Sequence, residues 1–263
     1  MAKVISTGFI TTKINGITIN TIKKCHTRNY KAYNSRNVKY VVMHYTGNEK
    51  DTAKANSNYF QSANRQASAH FFVDDNNIYQ SVALKNVAWH CGGSTYYHST
   101  CRNSNSFGIE MCCTAGNYKI SNKTIENSAK LCANLCKRIG ITASQVDTYV
   151  LRHYDITHKK CPAQMANSAN DADWVAFKAL VKKELGGKAT TSAATPTTAA
   201  FKVKVTADVL NIRAGAGLKY DVVGSITDKG TYTIVETKSA DDLTWGKLKS
   251  GAGWISLYYT KKV

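Results

Sequence analysis

The chain has 263 residues, 43% of them hydrophobic and 20% charged, and its 35 lysines and arginines against 17 aspartates and glutamates give a net charge of +18. This is ordinary globular material, enough for one large domain or a medium one plus a small one, and no run of eighteen apolar residues exists to span a membrane. The basic field attracts polyanions, which fits nucleic acid and the anionic wall of a Gram-positive cell equally, but no recognisable nucleic-acid motif accompanies it.

The first ten residues, Met1 to Ile10, lack the apolar segment and small-residue cleavage site of a secretory signal. The expectation is a chain held in the cytoplasm of the producing cell until another route releases it. Residues 38–45 read as a buried strand that enters a turn at Thr46-Gly47-Asn48, and a polar helical stretch follows at about 52–64. Ser68–Val73 and Ile78–Val82 read as strands split by the turn Asp74-Asp75-Asn76-Asn77. Ser106–Met111 is a short apolar strand. Residues 122–139 carry helical spacing through Ile125, Ala129, Leu131, Cys132, Leu135, Cys136 and Ile139, stopped by Gly140. Tyr149–Leu151 leads into His153, and a last helix at about 171–185 places Trp174, Phe177, Ala179, Leu180 and Val181 inward. The fold class is α/β, with a mixed central sheet flanked by helices.

Residues 186–200 are Gly, Ala, Thr and Ser with one Pro and one Lys, the composition of a flexible linker. From 201 to 263 the chain turns to short β runs: Val203–Val205, Val209–Ile212, Val222–Ile226, Tyr232–Val235, Thr244–Leu248 and Trp254–Leu257, with glycine turns between them. That is the pattern of a small barrel. The expected domains are therefore 1–185 and 201–263. Eight cysteines all precede residue 162 in a long chain without an export signal, so reduced thiols are the default, and Cys132 and Cys136 read as small buried apolar residues.

His44 ends an apolar strand, and about a hundred residues later comes His153-Tyr154-Asp155-Ile156-Thr157-His158-Lys159-Lys160-Cys161-Pro162. Two imidazoles and a thiolate make three ligands, the number that catalytic zinc takes while keeping its fourth position for water. His158 is a competing ligand in the same segment. Glu110 is a carboxylate inside the apolar strand Phe107-Gly108-Ile109-Glu110-Met111; it needs a partner, a metal or solvent, and is the candidate base. Lys159 could reach over the metal to an oxyanion, or be a surface lysine beside Lys160.

These segments also carry a resemblance. Val42-Met43-His44-Tyr45-Thr46-Gly47-Asn48, Ser68-Ala69-His70-Phe71-Phe72-Val73, Ala88-Trp89-His90-Cys91-Gly92, Ser106-Phe107-Gly108-Ile109-Glu110 and the His153–Cys161-Pro162 segment occur in the order seen in zinc N-acetylmuramoyl-L-alanine amidases. Over about 38–165 the chain resembles the type 2 amidase family, which includes phage lysins and is related to peptidoglycan recognition proteins. The resemblance implies Zn2+ held by His44, His153 and Cys161, Glu110 as the catalytic carboxylate and Lys159 as the oxyanion partner. Some members carry a tyrosine where this chain has Ala69, which places the proton transfers on Glu110. His70 and His90 would line the cleft as substrate contacts or be packed structural histidines.

The tail resembles bacterial Src-homology-3 domains through Leu210-Asn211-Ile212-Arg213-Ala214-Gly215-Ala216-Gly217, Trp245-Gly246-Lys247-Leu248 and Gly253-Trp254-Ile255. This implies attachment to the cell wall. Tyr220, Tyr232, Trp245 and Trp254 would form a stacking surface or the barrel's core. The expectation is a monomeric endolysin that cleaves Gram-positive peptidoglycan. The alternatives are a host autolysin of the same activity or a non-catalytic peptidoglycan-binding protein, and the latter typically lacks the thiolate ligand kept here as Cys161.

Overall fold

A computed structural model describes residues 2–167, 171–186, 200–218, 220–241 and 243–263. The chain divides into two units, Met1–Ala166 with Phe177–Gly187, and Asn167–Ala176 with Lys188–Val263. Residues 167–176, placed with the first domain on sequence, thus group with the second unit. Most of the expected linker, 187–199, lies outside the described residues.

In unit 1 the strands are β1 (Lys3–Ile5), β2 (Lys13–Ile14), β3 (Ile17–Asn20), β4 (Tyr30–Lys31), β5 (Arg36–Val38), β6 (Tyr40–Tyr45), β7 (Phe71–Val73), β8 (Ile78–Gln80), β9 (Val87–Ala88), β10 (Ser106–Met111) and β11 (Val150–Arg152). Its helices are α1 (Ala53–Ser62), α2 (Asn122–Ile139), α3 (Val146–Tyr149) and α4 (His153–Thr157); α5 (Ala172–Glu184) has residues in both units. Seven strands form one mixed sheet in the order β11-β6-β10-β7-β8-β3-β2. Its centre is parallel: β6 pairs with β11 and β10, and β10 with β7. Central parallel strands are covered on both faces, which is why β6 and β10 read as apolar runs and not as alternations. Val41, Val42, Met43, Phe107 and Ile109 are accordingly 0% exposed.

α2 sits where its residues place it. The Ser121 side chain accepts the Thr124 N–H at the start, Gly140 ends the helix in the left-handed region at φ 77°, and Leu131, Cys132, Leu135, Cys136 and Ile139 are buried. All eight cysteines are free and buried, Cys132 and Cys136 among them. Asp147, just before β11, takes ion pairs from Lys178 at 2.9 Å and Lys182 at 2.6 Å. No helix among the described residues is long and apolar enough to cross a membrane.

Unit 2 contains β12 (Phe201–Val205), β13 (Leu210–Arg213), β14 (Val222–Ile226), β15 (Thr231–Ala240), β16 (Leu243–Leu248), β17 (Trp254–Ser256) and β18 (Thr260–Lys262). These form a second seven-stranded sheet, β14-β13-β17-β16-β15-β12-β18, antiparallel throughout. Val203, Val205, Leu210, Ile226, Ile234, Leu248 and Ile255 fill its core. Trp245 and Trp254 are 2% and 7% exposed and also face inward, which leaves Tyr220 as the exposed member of the four aromatics. Gly253 is required where it stands: at φ +139°, a Cβ there would lie 2.4 Å from the Arg213 carbonyl oxygen.

Candidate metal centre and active site

Three neighbouring parallel strands deliver the site. His44, next to last in β6, pairs in register with Glu110 of β10, and Met43 pairs with Arg152, the last residue of β11. His153 therefore leaves the sheet beside His44. The carboxyl ends of parallel strands are where α/β sheets open to ligands.

The segment between His153 and Cys161 begins as a single helical turn, α4. Arg152 caps it: its N–H donates to Asp155 Oδ2 at 2.7 Å, and its guanidinium donates to Asp155 Oδ1 at 2.6 Å. His158 ends α4 in the left-handed region at φ 59°. The Tyr154 N–H then donates to the Cys161 carbonyl at 3.0 Å, which folds the segment back on itself. The result brings one donor atom from each of His44, His153 and Cys161 within 4.8 Å of the others, all three residues buried. His44 Nδ1 lies 3.8 Å from Cys161 Sγ, and the rings of His44 and His153 are 5.0 Å apart. His158 is not part of this group. It is exposed and stacked on Tyr97, with ring centroids 3.6 Å apart.

Burial dominates the electrostatics. It holds His44 well below the usual imidazole range, helped by His90, His153 and Lys159, and it lowers His153 as well. Both rings are therefore neutral and keep a lone pair for a cation. Burial, with the charge of Glu110, pushes the Cys161 thiol up to about 12, so without a cation it stays protonated. Glu110 is half-buried as a residue, yet its Oε2 is sealed from solvent and has no hydrogen-bond partner. Burial pushes its carboxyl up to about 8; Lys159 pulls it back and Asp51 adds to the rise. Lys159 itself is exposed and close enough for its charge to act on His44, His153, Cys161 and Glu110.

His90 and His70 lie behind these candidate ligands. His90 is 8% exposed, and its Nδ1 is 3.0 Å from His44 Nε2. His70 is 0% exposed: Gly108 N–H donates to its Nδ1 at 3.1 Å, and its Nε2 lies 3.1 Å from the Asn86 carbonyl and 2.8 Å from Arg36 Nη2. It is packed, and offers a substrate no surface.

Sequence reasoning missed the groups that hold these rings. Gly92 supplies a carbonyl 3.0 Å from His153 Nε2, Ser106 a hydroxyl 3.2 Å from His90 Nε2, and Asn103 Oδ1 accepts the His90 N–H at 2.9 Å. The legible signals were a serine opening an apolar strand and a glycine two residues before Glu110. A Cβ on Gly108 would lie 2.6 Å from the His90 ring.

Residues 34–164 match the family model described as N-acetylmuramoyl-L-alanine amidase. This stretch is therefore similar to the amidase family. The chain is 30% identical over 246 residues to the N-acetylmuramoyl-L-alanine amidase BlyA of Bacillus subtilis strain 168, covering 84% of this chain and 65% of that one. It is 34% identical over 168 residues to a probable N-acetylmuramoyl-L-alanine amidase of Bacillus licheniformis, covering 61% of this chain and 46% of the relative. The chain thus spans between about half and two thirds of the length of these relatives. Among solved structures, a mutant endolysin from Bacillus subtilis superposes with a TM-score of 0.52 at 28% identity, covering 63% of this chain and 99% of that one. The elements that present His44, Glu110, His153 and Cys161 fall in the matched stretch, since β6, β10, β11 and α4 all lie within 34–164.

Proposed function

We propose that the chain is a zinc-dependent peptidoglycan hydrolase of the endolysin kind, cleaving the amide between N-acetylmuramic acid and L-alanine. One observation carries this reading: three convergent ligand donors, two imidazole nitrogens and a sulfur within 4.8 Å, beside a carboxylate whose Oε2 is sealed and unpartnered. The donor set fits zinc, which is borderline-soft, accepts mixed nitrogen and sulfur ligation, and in catalysis keeps one position open. His44, His153 and Cys161 would hold it. When bound, zinc supplies Lewis acidity that makes water acidic near neutral pH and polarises a carbonyl.

The chain's own groups then have separate tasks. Glu110 takes a proton from the water that attacks the lactyl carbonyl, and returns it to the L-alanine nitrogen as the C–N bond breaks. Its desolvated, unpartnered oxygen makes it a competent acceptor once positive charge nearby has brought its pKa down. The Lys159 ammonium offsets the negative charge that develops on the carbonyl oxygen. Unit 2, read as an SH3-like wall-binding domain, keeps the enzyme on an insoluble substrate and so raises its effective concentration.

The test is digestion of purified Gram-positive walls with and without a chelator, followed by identification of the new ends. Free L-alanine amines that disappear with the chelator support the reading. New reducing sugars would instead make the protein a glycosidase.

A further inference from the structure

We infer that His90 and Ser106 are positioning residues that fix the proton of His44 on Nε2, so that its Nδ1 lone pair is presented to the metal. The argument is an accounting of hydrogens. A carbonyl only accepts, so the Ser106 hydroxyl, 2.7 Å from the Arg102 carbonyl, spends its one hydrogen there. Toward His90 Nε2, 3.2 Å away, Ser106 can then only accept, and His90 must carry its proton on Nε2. A neutral imidazole has one ring proton, so His90 Nδ1 is a bare acceptor. His44 Nε2 lies 3.0 Å from that acceptor and donates to it. This leaves His44 Nδ1 bare, and it is the atom that faces Cys161 Sγ at 3.8 Å.

The neighbouring groups close the accounting. Cys91 Sγ is 4.0 Å from Ser106 Oγ, but its own hydrogen goes to Asn103 Oδ1 at 3.2 Å. Both rings are buried, at 1% and 8% exposed, and one proton on each satisfies every contact just described. The His90 ring is held in place from two sides: its backbone N–H donates to Asn103 Oδ1, and the ring fills the space that a side chain at Gly108 would take. Because the series ends on a backbone carbonyl, it orders protons without passing any on.

The inference rests on His44 being a metal ligand, as proposed above, and it can be tested apart from that reading. Nitrogen-15 NMR of histidine side chains in the metal-free full chain should show His44 protonated on Nε2. Ser106→Ala, which removes one oxygen and preserves volume, should give His90 and His44 mixed tautomers. In competition with a chromophoric chelator, the same variant should bind zinc about 10- to 100-fold more weakly, with an unchanged circular dichroism spectrum. His90→Asn keeps an acceptor where Nδ1 stands and should recover most of the affinity that His90→Leu loses. A His44 protonated on Nδ1 in the unsubstituted protein, or a Ser106→Ala variant with unchanged tautomers and zinc affinity, overturns the inference. Absence of zinc binding with the Nε2 tautomer intact would overturn the metal reading and leave the proton order standing.

Discussion

Zinc uptake by this site should expel protons, and the burial of its ligands sets how many. In the metal-free protein the Cys161 thiol lies at about 12 and the Glu110 carboxyl at about 8, while His44 and His153 are held neutral. At pH 7 the thiol is five units below its midpoint. Forming the thiolate ligand there costs about 7 kcal/mol, at about 1.4 kcal/mol per unit, relative to a site already deprotonated. Each unit of pH recovers about tenfold in apparent affinity, so zinc should bind about a hundredfold more tightly at pH 9 than at pH 7 through the thiol alone. Below pH 8 Glu110 also carries a proton, and a neighbouring dication will drive it off. The expected release is therefore between one and two protons per zinc at pH 7, approaching one above pH 8. Calorimetry in two buffers of different ionisation enthalpy measures the count, and chelator competition from pH 6 to 9 measures the slope. Glu110→Gln should reduce the count to one across the range. An affinity that does not change between pH 6 and 9 would refute the reasoning, because it would mean that no buried thiol is being ionised.

Four further outcomes follow. Glu110→Gln should slow wall hydrolysis by about 10²- to 10⁴-fold while zinc stoichiometry stays the same; an unimpaired rate would remove Glu110 from the proton transfers. In the metal-free protein, the folded Glu110 keeps a proton that the unfolded chain gives up at its ordinary, lower value. Its contribution to stability is therefore lost as pH rises from about 4.5 to about 8, so denaturant midpoints of the unsubstituted chain should fall over that window relative to those of Glu110→Gln, a difference in which the opposite titration of the buried histidines common to both cancels. Gly108→Ala places a methyl group 2.6 Å from the His90 ring and should cost about 1–3 kcal/mol in urea denaturation, with zinc affinity falling in parallel. Finally, a fluorescent fusion of residues 167–263 should sediment with Gram-positive walls, and a fusion left in the supernatant would rule out wall attachment by unit 2.

The elements legible in the sequence were those that carry their own punctuation. Ser106–Met111 and 122–139 were read with the bounds the structure has, the second from its helical spacing and the stop at Gly140. The strands β1 to β5 were not read, since segments of two to four residues have no measurable period. For the same reason α4, a single turn, was not read as a helix. The candidate site residues themselves stood out because histidine, glutamate and cysteine are conspicuous against apolar strands. Their supports did not: a main-chain carbonyl leaves no trace in residue type, and Ser106 gains its meaning only when β10 brings it behind a ring from 16 residues earlier.

The two imidazoles of the site are braced by different kinds of atom, and substitution should expose the asymmetry. His44 leans on a side chain, which a single base change can delete. His153 leans on the oxygen of Gly92, a position where a Cβ would meet nothing within 4 Å. A saturation library would therefore score residue 92 as dispensable and residue 90 as essential, although both perform the same service for neighbouring rings.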